Sequence, residues 1–184
     1  MPGPVYLSGD RVELRVTERE DVEFIQRARS DPAIRTALTQ TAPQTREQVE
    51  EFYEEFVAAD NGDADFVVCD EDGDPVGEVS LFRTEHDRGE VAYWLVPEAR
   101  GEGYATEAVS LLLDYAFETS GRHRVHARVV DFNEPSRALV ERLGFTEEGR
   151  LRDHVFLEGE YRDVVLFGLL REEWRAGRGA EEQR

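Results

Sequence analysis

The sequence predicts an α+β fold: one domain built on a mixed, mostly antiparallel sheet with helices on its faces. Three observations predict it. Short apolar stretches with strand character recur at both ends of the chain and are joined by turn-forming residues, as hairpins require. Between them lie segments whose apolar residues fall at helical spacing. Only one stretch, Glu90 to Val130, reads strand–glycine loop–helix–strand, and a crossover helix sets its flanking strands parallel.

Val5 to Val16 alternates Val12, Leu14 and Val16 with Arg11, Glu13 and Arg15 and is read as one strand. Thr17-Glu18-Arg19-Glu20 has the form of a capping box opening a helix through about Ala28. Asp31-Pro32 starts a second short helix, with proline suited to its first turn. Thr45 and Gln48 form another capping box, ahead of an apolar face of Val49, Phe52, Tyr53, Phe56 and Val57. Asn61-Gly62-Asp63 stops that helix.

Phe66–Cys69 and Val76–Phe82 are strands of a hairpin turned by Asp70 to Pro75. Glu90 to Val96 is a strand, and Pro97 to Gly103 interrupts regular structure. Tyr104 to about Thr119 is a helix ended by Gly121. Val125–Val130 is a strand, and Asn133–Leu143 a helix closed by Gly144. Two final strands, about Thr146–Phe156 and Tyr161–Leu170, turn at Glu158-Gly159. Residues 1–174 make the domain; 175–184 read as a polar, frayed tail.

The charge excludes some functions. The 184 residues carry 41 Asp and Glu against 22 basic residues, every one of them arginine, for a net charge of −19. Such a surface argues against binding to nucleic acid or to anionic membranes, because both need a basic footprint. Eighteen aromatic residues argue for a folded chain rather than an acidic disordered one. The one cysteine, Cys69, fits a reducing cytoplasm and reads as a buried strand residue. No apolar run has the length of a membrane helix, and Met1 to Pro4 has no signal-peptide character.

The chemistry concentrates in Arg100-Gly101-Glu102-Gly103-Tyr104-Ala105. Amides at a helix N-terminus lack internal partners and carry partial positive charge, and glycines let an anion approach them. By itself the pattern fits an ordinary strand-to-helix turn as well as a phosphate loop. It has neither the Walker lysine nor the three-glycine dinucleotide spacing.

Three blocks in order sharpen this. They are Tyr93-Trp94-Leu95-Val96 running into Arg100-x-x-Gly103-x-Ala105; Asn133-x-x-Ser136 followed by Glu141 to Phe145; and Gly159-x-Tyr161-x-Asp163. Together they resemble the coenzyme A motif and downstream blocks of the GNAT acyltransferase superfamily, and among its branches the Rim-type N-terminal acetyltransferases. The resemblance implies a V-shaped cleft where Glu90–Val96 and Val125–Val130 splay apart. It implies acetyl-CoA as co-substrate, with no metal, and an amine acceptor: a protein N-terminus or a small amine. The pantetheine arm would pair with the backbone of Leu95 and Val96. The pyrophosphate would sit on Arg100, Gly101, Glu102, Gly103, Tyr104, Ala105 and Thr106.

Within that scheme a backbone N–H near Leu95 or Val96 is the oxyanion donor, and Glu90 is the first choice of base. Glu90 reads equally as a strand-end acid paired with an arginine. Glu78 and His154 are weaker candidates. The tyrosine many relatives use to protonate the leaving thiolate is replaced by Val140, so Ser136 takes that role or caps its helix. Asn133 binds the pantetheine amide or caps the same helix. A carboxylate found on the penultimate strand of some relatives is replaced by Val155. The missing tyrosine leaves a non-catalytic acyl-CoA-binding module as the alternative function.

Asp70-x-Asp72-x-Asp74 begins like a calcium loop but meets Pro75 where glycine is needed, so it reads as a turn. His123 and His126 lack further ligands for zinc. Oligomeric state, monomer or homodimer, is left open.

Solvated carboxylates spread along the chain suit a high-salt environment, where salt screens their repulsion. The melting temperature is therefore expected to rise between low and molar KCl. A flat dependence contradicts this reading.

Overall fold

The computed structural model describes residues 2–59, 61–84 and 86–181. Its strands are β1 (Val5–Ser8), β2 (Glu13–Val16), β3 (Ala64–Cys69), β4 (Pro75–Phe82), β5 (Arg88–Leu95), β6 (Arg124–Val130), β7 (Thr146–Leu157) and β8 (Glu160–Leu170). Its helices are α1 (Val22–Arg29), α2 (Pro32–Ala37), α3 (Arg46–Phe52), α4 (Tyr104–Asp114), α5 (Glu134–Arg142) and α6 (Arg171–Glu181). π-helical turns prolong α3 over Tyr53–Val57 and α4 over Tyr115–Thr119. Among the described residues no helix is long and apolar enough to cross a membrane.

All the strands join one sheet in the order β1-β2-β3-β4-β5-β6-β8-β7. Every neighbouring pair is antiparallel except β5 and β6, as the crossover through α4 demands. The main core lies between the sheet and α4 to α6, with Leu112, Leu113, Phe117, Leu139, Val140 and Trp174 packed on residues such as Val79, Val91 and Phe167. The opposite face is covered by α1 to α3, whose Val22, Ile25, Ile34 and Val49 gather around Trp94 of β5.

Three local expectations need correction. Val5 to Val16 is two strands, turned at Ser8-Gly9-Asp10, where the Gly9 N–H donates to the Val12 carbonyl. The turn is held from afar: the Glu107 carboxylate of α4 accepts from the amides of Arg11 and Val12 at 2.8 and 3.3 Å. Entry into α1 is shifted by one residue, because the Glu18 amide donates to Asp21 while the Thr17 hydroxyl is taken by Asp65 at 2.8 Å. Residues 175–181 are helical rather than frayed; Arg175 pairs with Glu118 and Arg178 with Asp114. Residues 182–184 lie outside the described residues. The other caps form as expected: Asp31 caps α2, Thr45 and Gln48 cap α3, and Asp70 accepts from the amides of Asp72 and Asp74 in the β3–β4 turn.

A polar network is built into the α1–α3 face. Glu78 of β4 is 1% exposed. Both its oxygens accept from Arg29 of α1, at 3.0 and 2.8 Å, and the Trp94 indole N–H donates to one of them. Asp65 of β3 keeps part of its surface in solvent, but Thr17 and Ser80 donate to its two oxygens. Removing one partner of a buried pair like Arg29–Glu78 costs about 3–5 kcal/mol, since it strands the other charge. Cys69 is fully buried, and burial pushes its thiol up to about 11, so it is an inert core residue.

Burial raises the Asp65 carboxyl well above the usual carboxylate range, and the adjacent Glu78 charge adds to this. The folded state therefore binds this proton more tightly than the unfolded state. Asp65 thus loses stability as pH rises above the ordinary aspartate value of 3.8. Asp65→Asn removes the loss, so its melting temperature is expected to gain on wild type as pH rises above 3.8. A gap independent of pH contradicts the assignment.

Candidate active site

The site begins where β5 and β6 stop pairing. Their ladder has three steps: Arg88 with Arg124, Gly89 with Val125, and Glu90 with His126. Beyond it β5 continues against β4 as far as Leu95, while β6 continues against β8 as far as Val130. Each strand follows its other neighbour, and the sheet opens into a V. The resulting cleft has a volume of about 1030 Å³, at the upper end of the range for ligand pockets.

Backbone direction along β5 decides which groups face this gap. The Val96 amide donates to Val76 at 2.9 Å, so Val96 and Trp94 turn toward β4. Alternation then turns the N–H and C=O of Tyr93 and Leu95 into the cleft. Leu95 is placed as the sequence reading requires. Val96 is not: its carbonyl accepts from Ala99 and its amide is bound to β4, so it offers no free donor to a ligand.

At the wide end the cleft meets the glycine loop. Gly101 and Gly103 both have φ +86°, a left-handed conformation that favours glycine, and Gly103 caps α4. A Cβ on Gly103 would lie 2.7 Å from the Arg11 guanidinium. Arg11 itself donates to the Glu102 carbonyl at 2.6 Å and lies over the Tyr104 ring. Sequence reasoning passed over Arg11, which is 91 positions from Glu102. The first-turn amides of Tyr104, Ala105 and Thr106 have no intrahelical partner. Arg100, expected as a cation for phosphate, bends back so that two of its nitrogens donate to the Leu95 carbonyl at 3.2 Å. It straps the loop to the end of β5.

Of the residues singled out from sequence, Glu90, Leu95, Arg100, Gly101, Gly103, Ala105, Thr106, Asn133 and Ser136 line the cleft. Val96, Glu102 and Tyr104 do not; Glu102 and Tyr104 instead support the loop from behind through Arg11.

Glu90 marks the apex of the V. It is 6% exposed, and one of its oxygens lies 2.7 Å from Arg83 and 3.3 Å from His126. Glu90 is paired with an arginine, as one reading has it, and it also lines the cleft. Burial pushes its carboxyl up, but the hydrogen bond from His126 and the Arg83 charge outweigh burial, and the net shift is downward. Glu90 is therefore an ionised carboxylate in the neutral range.

Asn133 caps α5 by accepting from the Ser136 amide at 3.2 Å. The Ser136 hydroxyl lies 2.7 Å from the phenol of Tyr93, which reaches over from β5. Burial pushes that phenol up to about 12, so it stays protonated. Tyr93 was legible only as part of a motif; nothing in the sequence places it beside Ser136. His154 bonds Arg128, and Glu78 lies in the buried network, not in the cleft lining. Among the described residues no group of three or more His, Cys, Asp or Glu converges as metal ligands would.

The sequence pattern of the acetyltransferase (GNAT) domain matches residues 11–146, about three quarters of the chain. The chain belongs to the GNAT acetyltransferase family. The protein is similar to the SPbeta prophage-derived uncharacterized N-acetyltransferase YokL of Bacillus subtilis, with 30% identity over 176 residues, 95% of this chain and 98% of that one. YdaF of the same organism, whose name places it with ribosomal N-acetyltransferases, is 39% identical over 105 residues, 56% of this chain and 57% of that one. Among solved structures, spermidine N-acetyltransferase from Vibrio cholerae in complex with CoA and spermine superposes with a TM-score of 0.85 at 28% identity, covering 91% of this chain and 99% of that one. The protein is an N-acetyltransferase that uses acetyl-CoA, with resemblance to the Rim-type branch.

Gly103→Val forces a β-branched residue to positive φ and displaces Arg11. It is expected to raise the KM for acetyl-CoA at least about tenfold, which corresponds to roughly 1.4 kcal/mol of lost binding. Unchanged kinetics contradict the phosphate-loop assignment.

Proposed function

We propose that this enzyme acetylates a small primary amine or a peptide N-terminus by direct attack on the thioester of acetyl-CoA. One observation carries the reading: the β5–β6 ladder ends at Glu90, so that the Leu95 N–H, the Ser136 hydroxyl and the amides opening α4 share one cleft. The amides of Gly101, Gly103, Ala105 and Thr106 suit the diphosphate, and the open edge of β5 suits an extended amide-bearing arm.

Glu90 draws the acceptor ammonium to the apex and takes its proton toward solvent. The freed lone pair forms the C–N bond as the C–S bond breaks. The Leu95 N–H faces the thioester oxygen, which gains negative charge in the transition state. Ser136 donates its proton to the departing sulfur and is reprotonated by the second proton that the acylated nitrogen sheds. The Tyr93 phenol, held protonated by burial, lies 2.7 Å from the Ser136 hydroxyl; with the phenol as donor of that bond, the serine proton is free to point at the sulfur. This pair occupies the role that Val140 cannot fill. Arg83 and His126 keep Glu90 ionised and fix its orientation.

Thiol release with a panel of amines tests the reading, and CoA binding without turnover of any amine would support the binding-module alternative. Ser136→Ala is expected to lower kcat by about 10²-fold with a small change in the KM for acetyl-CoA, and Tyr93→Phe less; proton transfer by a positioned group contributes about 10²–10⁴. Because the Glu90 carboxyl is held below the ordinary value of 4.5, the acidic limb of kcat/KM above about pH 6 is expected to follow the acceptor amine. A limb that shifts when Glu90 is changed to Gln, but not with acceptor basicity, contradicts this.

A further inference from the structure

The charge lining the cleft is opposite to that of the protein. Four arginines, Arg83, Arg100, Arg128 and Arg142, line it against one carboxylate, Glu90, in a chain of net charge −19. Two of the four lie where the acceptor must enter. Glu90 and His126 are level in the parallel register, and side chains alternate along a strand, so Arg128 projects from the same face as Glu90 and Trp94. That face is the one α1 and α2 cover, opposite the face packed by α4 and α5.

On this side α2 contributes Ile34, Ala37 and Leu38, and β7 and β8 contribute Val155 and Val164. Among the described residues the only carboxylate on this lining is Glu90, already bonded to Arg83 and His126. Arg128 has no carboxylate partner among the described residues; its guanidinium meets only the imidazole of His154, at 2.8 Å. A polyamine with several ammonium groups would find one committed anion and a facing cation here.

We infer that the acceptor is an amine with a carboxylate beside it: a free α-amino acid with an apolar side chain, its ammonium at Glu90 and its carboxylate on Arg128. Two strand residues advance the backbone about 7 Å, so the backbone of Arg128 stands about that far along β6 from the level of Glu90, and its long side chain, which rests on His154, has to swing from there to meet a carboxylate. Two hydrogen bonds and a single intervening carbon bridge such a distance. Arg128 is planar and forked, and so can hold a carboxylate by two bonds. The apolar walls suit the side chain. This rests on the acetyltransferase reading above: the α-amino nitrogen forms the C–N bond as the C–S bond breaks, and of the two protons that nitrogen loses one passes to solvent through Glu90 and the other reaches the leaving sulfur by way of the Ser136 hydroxyl. Arg128 takes no part in bond making; it selects and positions the acceptor.

The test compares rates of thiol release for the twenty α-amino acids, their C-terminal amides and spermidine, with products identified by mass spectrometry. The amides keep the amine and mimic a peptide N-terminus but lack the negative charge. Their amines are less basic, so intrinsic chemistry favours them at neutral pH, and a preference for the acids must come from the site. An apolar amino acid is expected to exceed both its amide and spermidine in kcat/KM by at least about tenfold. Arg128→Gln is expected to raise the KM for that acid at least about tenfold and erase the preference, with the KM for acetyl-CoA unchanged. Amides or spermidine turned over as well as the acids overturn the acceptor assignment and leave the transferase intact. If no amine at all is acetylated while acetyl-CoA still binds, the transferase reading falls and this inference with it.

Discussion

Three rungs of parallel ladder, from Arg88–Arg124 to Glu90–His126, hold the two halves of the sheet together, and the site exists because there is no fourth. Each strand is bound on its other side by a longer antiparallel ladder, β4 with β5 over six residue pairs and β6 with β8 over seven. Where the twists of those two half-sheets diverge, the shared ladder ends. The backbone of β5 beyond that point is left with unpaired donors and acceptors, which in a folded interior calls for a partner. The apex is fastened by side chains as well. The buried Glu90 carboxylate ties Arg83 of the β4–β5 turn to His126 of β6. The group best placed to receive an amine thus also joins the halves of the sheet.

The two helical layers divide the work. The layer of α4 and α5 supplies a helix N-terminus, the capped Asn133–Ser136 turn and the Ser136–Tyr93 hydroxyl pair, all on the thioester side. The layer of α1 to α3 packs on Trp94 through a mixed apolar and ionic contact anchored by Arg29 and Glu78. A buried ion pair adds little net stability relative to an apolar substitute, but it tolerates few alternative packings. Here it fixes the direction of α1 and so the position of α2 at the cleft. The large negative charge sits elsewhere, over the solvent surface. Inside the cleft the balance is reversed, which reconciles an acidic protein with a polyanionic co-substrate: short-range donors and arginines act at contact distance, where bulk screening has least effect.

Much of this was legible in the chain. The order of elements follows from hydrophobic period and from Gly, Pro, Asp and Asn punctuation, and the parallel pair follows from the sole crossover helix. The glycine loop was recognisable from its local pattern, and Asn133, Ser136 and Glu90 from the resemblance to the GNAT superfamily. Several of the misreadings share one cause. The β1–β2 turn was read through because Glu107, 96 positions after Arg11, completes it. Arg11 itself, Tyr93 beside Ser136, and Arg83 with His126 around Glu90 are contacts between elements distant in the chain, and no local pattern encodes them.

By itself the sequence determined the elements, the family and the glycine loop whose amides are proposed to meet the phosphates, because propensity, capping and glycine conformation act within a few residues. Only the tertiary structure decided which side chains converge. Strand alternation combined with register gave the cleft Leu95 and withheld Val96. Registry across the short parallel ladder put Arg128 on the face of Glu90. The folding back of Arg100 onto Leu95 reassigned a cation expected at the phosphates. These outcomes depend on where two half-sheets part, a property of pairing over the whole sheet that no single segment of chain contains.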